Sequence, residues 1–83
     1  MHPQTKYYVK KFIVDHFFVC DHDFEIKHYM KDSEEIIKIT FFRGLVPEKF
    51  QEESYEVIGP NKERWKENTY KRSEVFDKIK SWY

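Results

Sequence analysis

"KYYVKKFIVDHFFVC", residues 6–20, is the stretch whose reading decides the fold. Aromatic and β-branched residues dominate it, and such residues fit a pleated, half-buried surface. The same segment carries a helical stripe of Tyr8, Val9, Phe12, Ile13, His16, Phe17 and Cys20. The β-rich composition decides between the two, and a strand is expected.

The following segments support a sheet. Residues 24–30 alternate, with Phe24, Ile26, His28 and Met30 on one face and Glu25, Lys27 and Tyr29 on the other. "KDSEE" (31–35) reads as a polar turn, and Ile37, Ile39 and Phe41 share a face in the next strand. Gly44 and Pro47 end it, "PEKFQEE" (47–53) is a helical turn or loop, and "SYEVI" (54–58) is a short strand stopped by Gly59 and Pro60.

Two helices are expected after that. Asn61 can cap "KERWKENT", and Ser73 can cap "EVFDKIKSWY". In the second, Val75, Phe76, Ile79, Trp82 and Tyr83 form one apolar stripe, with Glu74 and Lys78 as an i, i+4 pair. The 83 residues suffice for one domain. The expected architecture is α+β: an antiparallel meander of three to four strands packed by a C-terminal amphipathic helix.

A hairpin tip at Asp21 and His22 sets Val19 against Phe24, Phe17 against Ile26 and Ile13 against Met30. A second hairpin sets Met30 against Ile37, His28 against Ile39 and Ile26 against Phe41. Both place the same residues of the middle strand inside. This register also sets Asp15 opposite His28, a polar pair on an apolar face. It is expected as a cross-strand ion pair, with an acid–base dyad as the sharper alternative.

Residues 15–28 concentrate three of the four histidines, the only cysteine and three of the five aspartates. A metal site is nevertheless not expected. On a strand His16 and Cys20 lie about 13 Å apart, and zinc ligands must converge on one ion. Cys20, His22 and Asp23 can meet at a turn, but without any paired CxxC or HxxxH spacing. A helical segment would put His16 and Cys20 at i, i+4 and reopen the question. No cofactor motif occurs: Gly44 and Gly59 are the only glycines, too few for a phosphate-cradling loop.

The 15 basic and 15 acidic side chains balance, whereas nucleic-acid binders usually carry a basic excess. Residues 61–83 hold a local surplus of three positive charges. Within them Arg64, Trp65, Lys66, Tyr70, Lys71 and Arg72 interleave cations with aromatics, a pattern suited to single-stranded nucleic acid. The absence of a signal-like apolar core near the N-terminus, and of any apolar run of about 18 residues, favours a cytoplasmic protein outside the membrane.

On the outer sheet face the expected register exposes Phe12, Val14, Phe18 and Phe42, more apolar area than a small monomer usually leaves wet. With Trp82 and Tyr83 these are the candidate partner-binding residues. The leading expectation is a non-catalytic protein-binding module, such as a phage-type inhibitor or accessory factor acting on a larger protein. The alternatives are a nucleic-acid-binding module using the 64–72 segment and a small toxin-like ribonuclease using Asp15 and His28. A homodimer through the aromatic face or an uncovered edge strand stays open.

Overall fold

The computed structural model describes residues 3–82. Along the chain run α1 (Pro3–Phe17), β1 (Phe24–Lys31), β2 (Glu34–Phe41), α2 (Glu48–Glu53), β3 (Tyr55–Ile58), β4 (Arg64–Lys71) and α3 (Arg72–Lys80). The four strands form one antiparallel sheet in the order β1-β2-β4-β3. The expected α+β class holds, including the C-terminal helix packed on the sheet. The connectivity is two hairpins rather than a continuous meander, because β4 and not β3 lies beside β2.

The expected strand over residues 6–20 is helix α1. Period-2 alternation would have placed Lys11 and Asp15 on the same face as Val9, Ile13 and Phe17. As a helix the segment buries Val9 and Ile13 completely, packs Phe12, Val14 and Phe17 against the core, and turns Lys11 and Asp15 outward. Those two charges then meet at 3.4 Å across one helical turn. Tertiary packing of the stripe has overridden β propensity, which for any one segment is a weak preference.

Helix α1 stops at Phe18, whose φ of 56° is left-handed. Glycine is the usual residue there, and a residue with a Cβ pays about 1–2 kcal/mol for that conformation. The hairpin expected around Asp21 and His22 is therefore absent. A loop joins α1 to β1, held at either side by the buried Val19 and Phe24.

Strands β1 and β2 pair Phe24 with Phe41, Ile26 with Ile39 and His28 with Ile37, a register shifted by two from the expected one. The turn is tighter than "KDSEE" suggested, since Lys31 and Glu34 still pair. Only Asp32 and Ser33 form it, with φ of 50° and 67°. Positive φ at both positions is the type I′ arrangement, whose twist matches that of the flanking strands. An even shift keeps every side chain on its expected face, so Phe24, Ile26, Ile37, Ile39 and Phe41 are all buried.

The helix expected from Asn61 is strand β4. Its residues offer no helical stripe, whereas period 2 sends Tyr70 inward and Trp65 outward. Pairing with β2 and β3 gives the strand a neighbour along each edge. A turn precedes it, closed by Lys62 N–H donating to the Gly59 carbonyl at 3.0 Å.

Helix α3 buries Val75 and Ile79 and packs Phe76 beside them, and Trp82, in the turn after the helix, is buried with them, as the stripe requires. Tyr83 lies outside the described residues. The helix begins at Arg72, so Ser73 is not its cap; Lys71 holds that position and makes no side-chain cap bond. Lys78 contacts Glu53 of α2 at 3.4 Å, a cross-element pair in place of the expected one with Glu74. The core is a relay of rings on the helical side of the sheet: Phe24 to Phe41 (5.2 Å between centroids), Phe41 to Phe50 (4.6 Å), and Phe50 to Trp82 (5.3 Å).

Candidate functional site

All three helices contribute to this single core, so they pack on the same face of the sheet. The other face has no helical layer. It is built from alternate residues of all four strands: Tyr29 beside Ile36, Glu25 beside Thr40, and Tyr55 beside Glu67 in the paired registers.

An apolar ridge crosses one end of this outer face. Trp65 sits opposite Val57 on β3, and its ring meets that of Phe42 at 4.6 Å in an edge-on contact. The buried Gly59 lies beneath the indole: a Cβ there would stand 2.6 Å from Trp65 Cε2 and Cζ2. Only glycine lets the ring settle this close to the backbone. Phe42, Val57 and Trp65 stay half-buried and Tyr55 exposed, so the ridge is held in place yet open to contact.

A polar network fills the centre around Glu67. Its carboxylate accepts from Tyr55 Oη at 3.2 Å and Thr40 Oγ1 at 3.3 Å, and lies 3.5 Å from Lys38 Nζ. Tyr55 Oη and Thr69 Oγ1 are 3.1 Å apart, and the Lys38 ammonium sits 5.9 Å from the Tyr29 ring centroid. Lys71 is drawn to Glu34 at 3.7 Å. Two cations of the face, Lys38 and Lys71, thus have acidic partners on the same face.

The candidate residues divide among different places. Phe42 belongs to the ridge. Phe12 and Val14 are on α1, partly buried against the core, and Phe18 is 83% exposed at the helix end. Trp82 is 6% exposed within the core. The common sheet face expected for Phe12, Val14, Phe18 and Phe42 is not formed, because the segment that would have supplied three of them is helical.

The basic–aromatic segment is divided by strand alternation. Trp65 and Lys71 point outward, while Tyr70 enters the core and Lys66 turns inward, 3.8 Å from Glu56. Arg72 donates from Nε to Thr5 Oγ1 at 3.1 Å and lies 3.7 Å from Glu35. Arg64 is exposed at the start of β4.

Asp15 and His28 are not partners, since Asp15 pairs with Lys11. The His28 side chain, 5% exposed, faces Glu35, with Nε2 and Oε1 at 3.3 Å but not aligned as a hydrogen bond. Glu35 thus stands between His28 and Arg72 and links β1, β2 and α3. Neither the cross-strand ion pair expected between Asp15 and His28 nor the alternative acid–base dyad is formed; each residue has a different charged neighbour.

Burial pushes the Tyr70 hydroxyl well above the ordinary tyrosine range, Glu53 adds to the push, and the bond from Asn68 Nδ2 at 3.0 Å partly offsets it. The unfolded chain therefore releases this proton first, from about pH 10. The contribution of Tyr70 to stability is complete below that point and declines as pH rises further toward the folded value. Tyr70→Phe is expected to flatten the alkaline decline of the urea midpoint measured between about pH 8 and 11. An unchanged decline would place its origin elsewhere.

The outward role of Trp65 was hidden by the helix expected over 62–69; Tyr29 was already expected on the outer face and Tyr55 and Val57 on a short strand, but without β4 as a strand nothing joined them. The alternation of Trp65, Glu67, Thr69 and Lys71 against Lys66, Asn68 and Tyr70 was the available signal. No described helix is long and apolar enough to cross a membrane. No protein-family model, curated protein or solved structure matches this chain, so a functional conclusion stands on the geometry of the outer face.

Proposed function

We propose that this protein is a non-catalytic binding module that docks the outer face of its sheet onto a larger protein, in the manner of an inhibitor or accessory factor. The observation that carries this reading is the uncovered ridge of Phe42, Trp65 and Val57 beside Tyr55 and the Glu67 network. Tyrosine and tryptophan next to matched polar groups are the composition of interface centres. Glycine-backed seating of Trp65 reduces the side-chain entropy that docking would otherwise cost.

Charge favours a protein partner over a nucleic acid. A polyanion needs unmatched cations along a track, whereas three of the four cations of the 64–72 segment, Lys66, Lys71 and Arg72, have acidic neighbours within 3.8 Å.

The test is a pull-down from the native host with three baits: the wild type, a Tyr55→Arg/Val57→Lys variant, and a Tyr7→Ser/Tyr8→Ser control on α1. A stoichiometric protein retained by the wild type and the control, and lost with the sheet variant, supports the proposal. Equal recovery on all three baits counts against it. Co-purified nucleic acid released by modest salt would favour the alternative reading. Light scattering of the pure protein resolves the remaining case, since a dimer dissociated by the sheet variant would make a second copy the occupant.

A further inference from the structure

The loop between α1 and β1 brings three chemically distinct metal-ligand groups together. The ligand atoms of Cys20, Asp21 and His22 all lie within 4.8 Å of one another on the exposed surface. We propose that this loop is a binding site for a thiophilic divalent cation, zinc being the best match.

The donor set selects the class of ion. Thiolate sulfur and imidazole nitrogen suit zinc, whereas calcium and magnesium require oxygen ligands. In a tetrahedral zinc site with bonds of about 2.0–2.3 Å, neighbouring donor atoms are about 3.5 Å apart. Asp21 Oδ1 and His22 Nε2 already stand at 3.4 Å. Closing the remaining distances takes small side-chain rotations, because none of the three residues is packed.

The backbone beneath them is fixed. Asp23 N–H donates to the Cys20 carbonyl at 3.0 Å, which closes the turn. The Asp23 carbonyl accepts from Phe42 N–H at 2.8 Å, and the buried Val19 and Phe24 anchor the loop on either side. The ion therefore meets a turn already tied to the sheet.

Local charge does not oppose a cation. Arg43 is held by Asp23, with Nε to Oδ1 at 2.8 Å. Lys11 is 3.4 Å from Asp15, and the Lys10 ammonium lies 5.3 Å from the Phe24 ring centroid. Among the described residues, the one ion-pair neighbour of Asp21 is His22. Cys20 and Asp21 also border a cavity of about 330 Å³ whose lining includes Lys10 and Lys11 as well as Asp15, so the ion would sit at its rim, toward His22, and not inside it. Three protein ligands leave the fourth position to water, so the site is open and exchangeable rather than a closed structural centre.

His16, the candidate raised by a helical α1, is not in the cluster. The left-handed Phe18 ends the helix before Cys20 could complete an i, i+4 pair.

Cobalt(II) serves as the probe, titrated under reducing conditions into the full chain. A thiolate-to-cobalt charge-transfer band saturating at one ion per monomer is expected, with zinc displacing the cobalt. Cys20→Ser should abolish the band, and His22→Ala and Asp21→Asn should each weaken binding. These exposed substitutions should leave the far-ultraviolet circular dichroism unchanged. Absence of the band in folded wild type would overturn the site. So would a band unaffected by His22→Ala and Asp21→Asn, or saturation at one ion per two chains, which would mean a bridge between cysteines of separate molecules.

Discussion

Phe41→Ala is expected to cost about 3–5 kcal/mol, which in a domain of this size removes most or all of the folded population at ambient temperature. Phe41 joins the two halves of the ring relay. It stacks on Phe24 at 5.2 Å and receives the edge-on contact of Phe50 at 4.6 Å. It is 1% exposed. Truncation forfeits the buried area of the ring and leaves a cavity between β1, β2 and α2, which those elements can fill only in part. The expected result is a much lower urea midpoint, or loss of the near-ultraviolet dichroism altogether. A fall of less than about 1 kcal/mol would mean that Phe41 does not sit in a packed core.

Lys11→Pro is expected to cost about 3 kcal/mol or more, although Lys11 is exposed and its contact with Asp15 is a surface pair worth little. The effect is purely one of backbone. In mid-helix, proline removes the bond from the residue 11 amide to the residue 7 carbonyl and clashes with that carbonyl. Lys11→Ala removes the same charge while retaining the backbone donor, and is expected to stay within about 0.5 kcal/mol of the wild type. Urea titration of both variants isolates the helical term. Were residues 6–20 an edge strand, a proline with its missing N–H turned to solvent would be tolerated, and the two variants would unfold at similar denaturant concentrations.

The sheet from Phe24 to Phe41 was legible in the sequence because its apolar residues recur at period 2 and survive an error of two in register. The C-terminal stripe was legible because Val75, Ile79 and Trp82 recur on one helical face. Residues 6–20 were misread because their β-rich composition outweighed their pattern. The placement of Lys11 and Asp15, four apart and off the stripe, was the better guide. Residues 62–69, expected as a helix, depart from that expectation for a different reason. An N-cap candidate was credited without an apolar stripe behind it, while Trp65 and Tyr70, five apart, suit opposite sheet faces. The outer face then followed wrongly: Phe12, Val14 and Phe18 belong to α1 and the loop beyond it, and the ridge is supplied by Trp65 and Val57. The cluster at Cys20, Asp21 and His22 was visible as composition only. Its convergence depends on where α1 ends, and a left-handed phenylalanine gives no composition signal for that.

The outer face is the central claim, and hydroxyl-radical footprinting of the protein alone and in complex with its recovered partner tests it most directly. The account predicts that Phe42, Tyr55 and Trp65 are protected in the complex while Tyr7, Tyr8 and Phe18 on the helical side are labelled as in the free protein. Protection of Tyr7, Tyr8 and Phe18 with undiminished labelling of Tyr55 and Trp65 would contradict it.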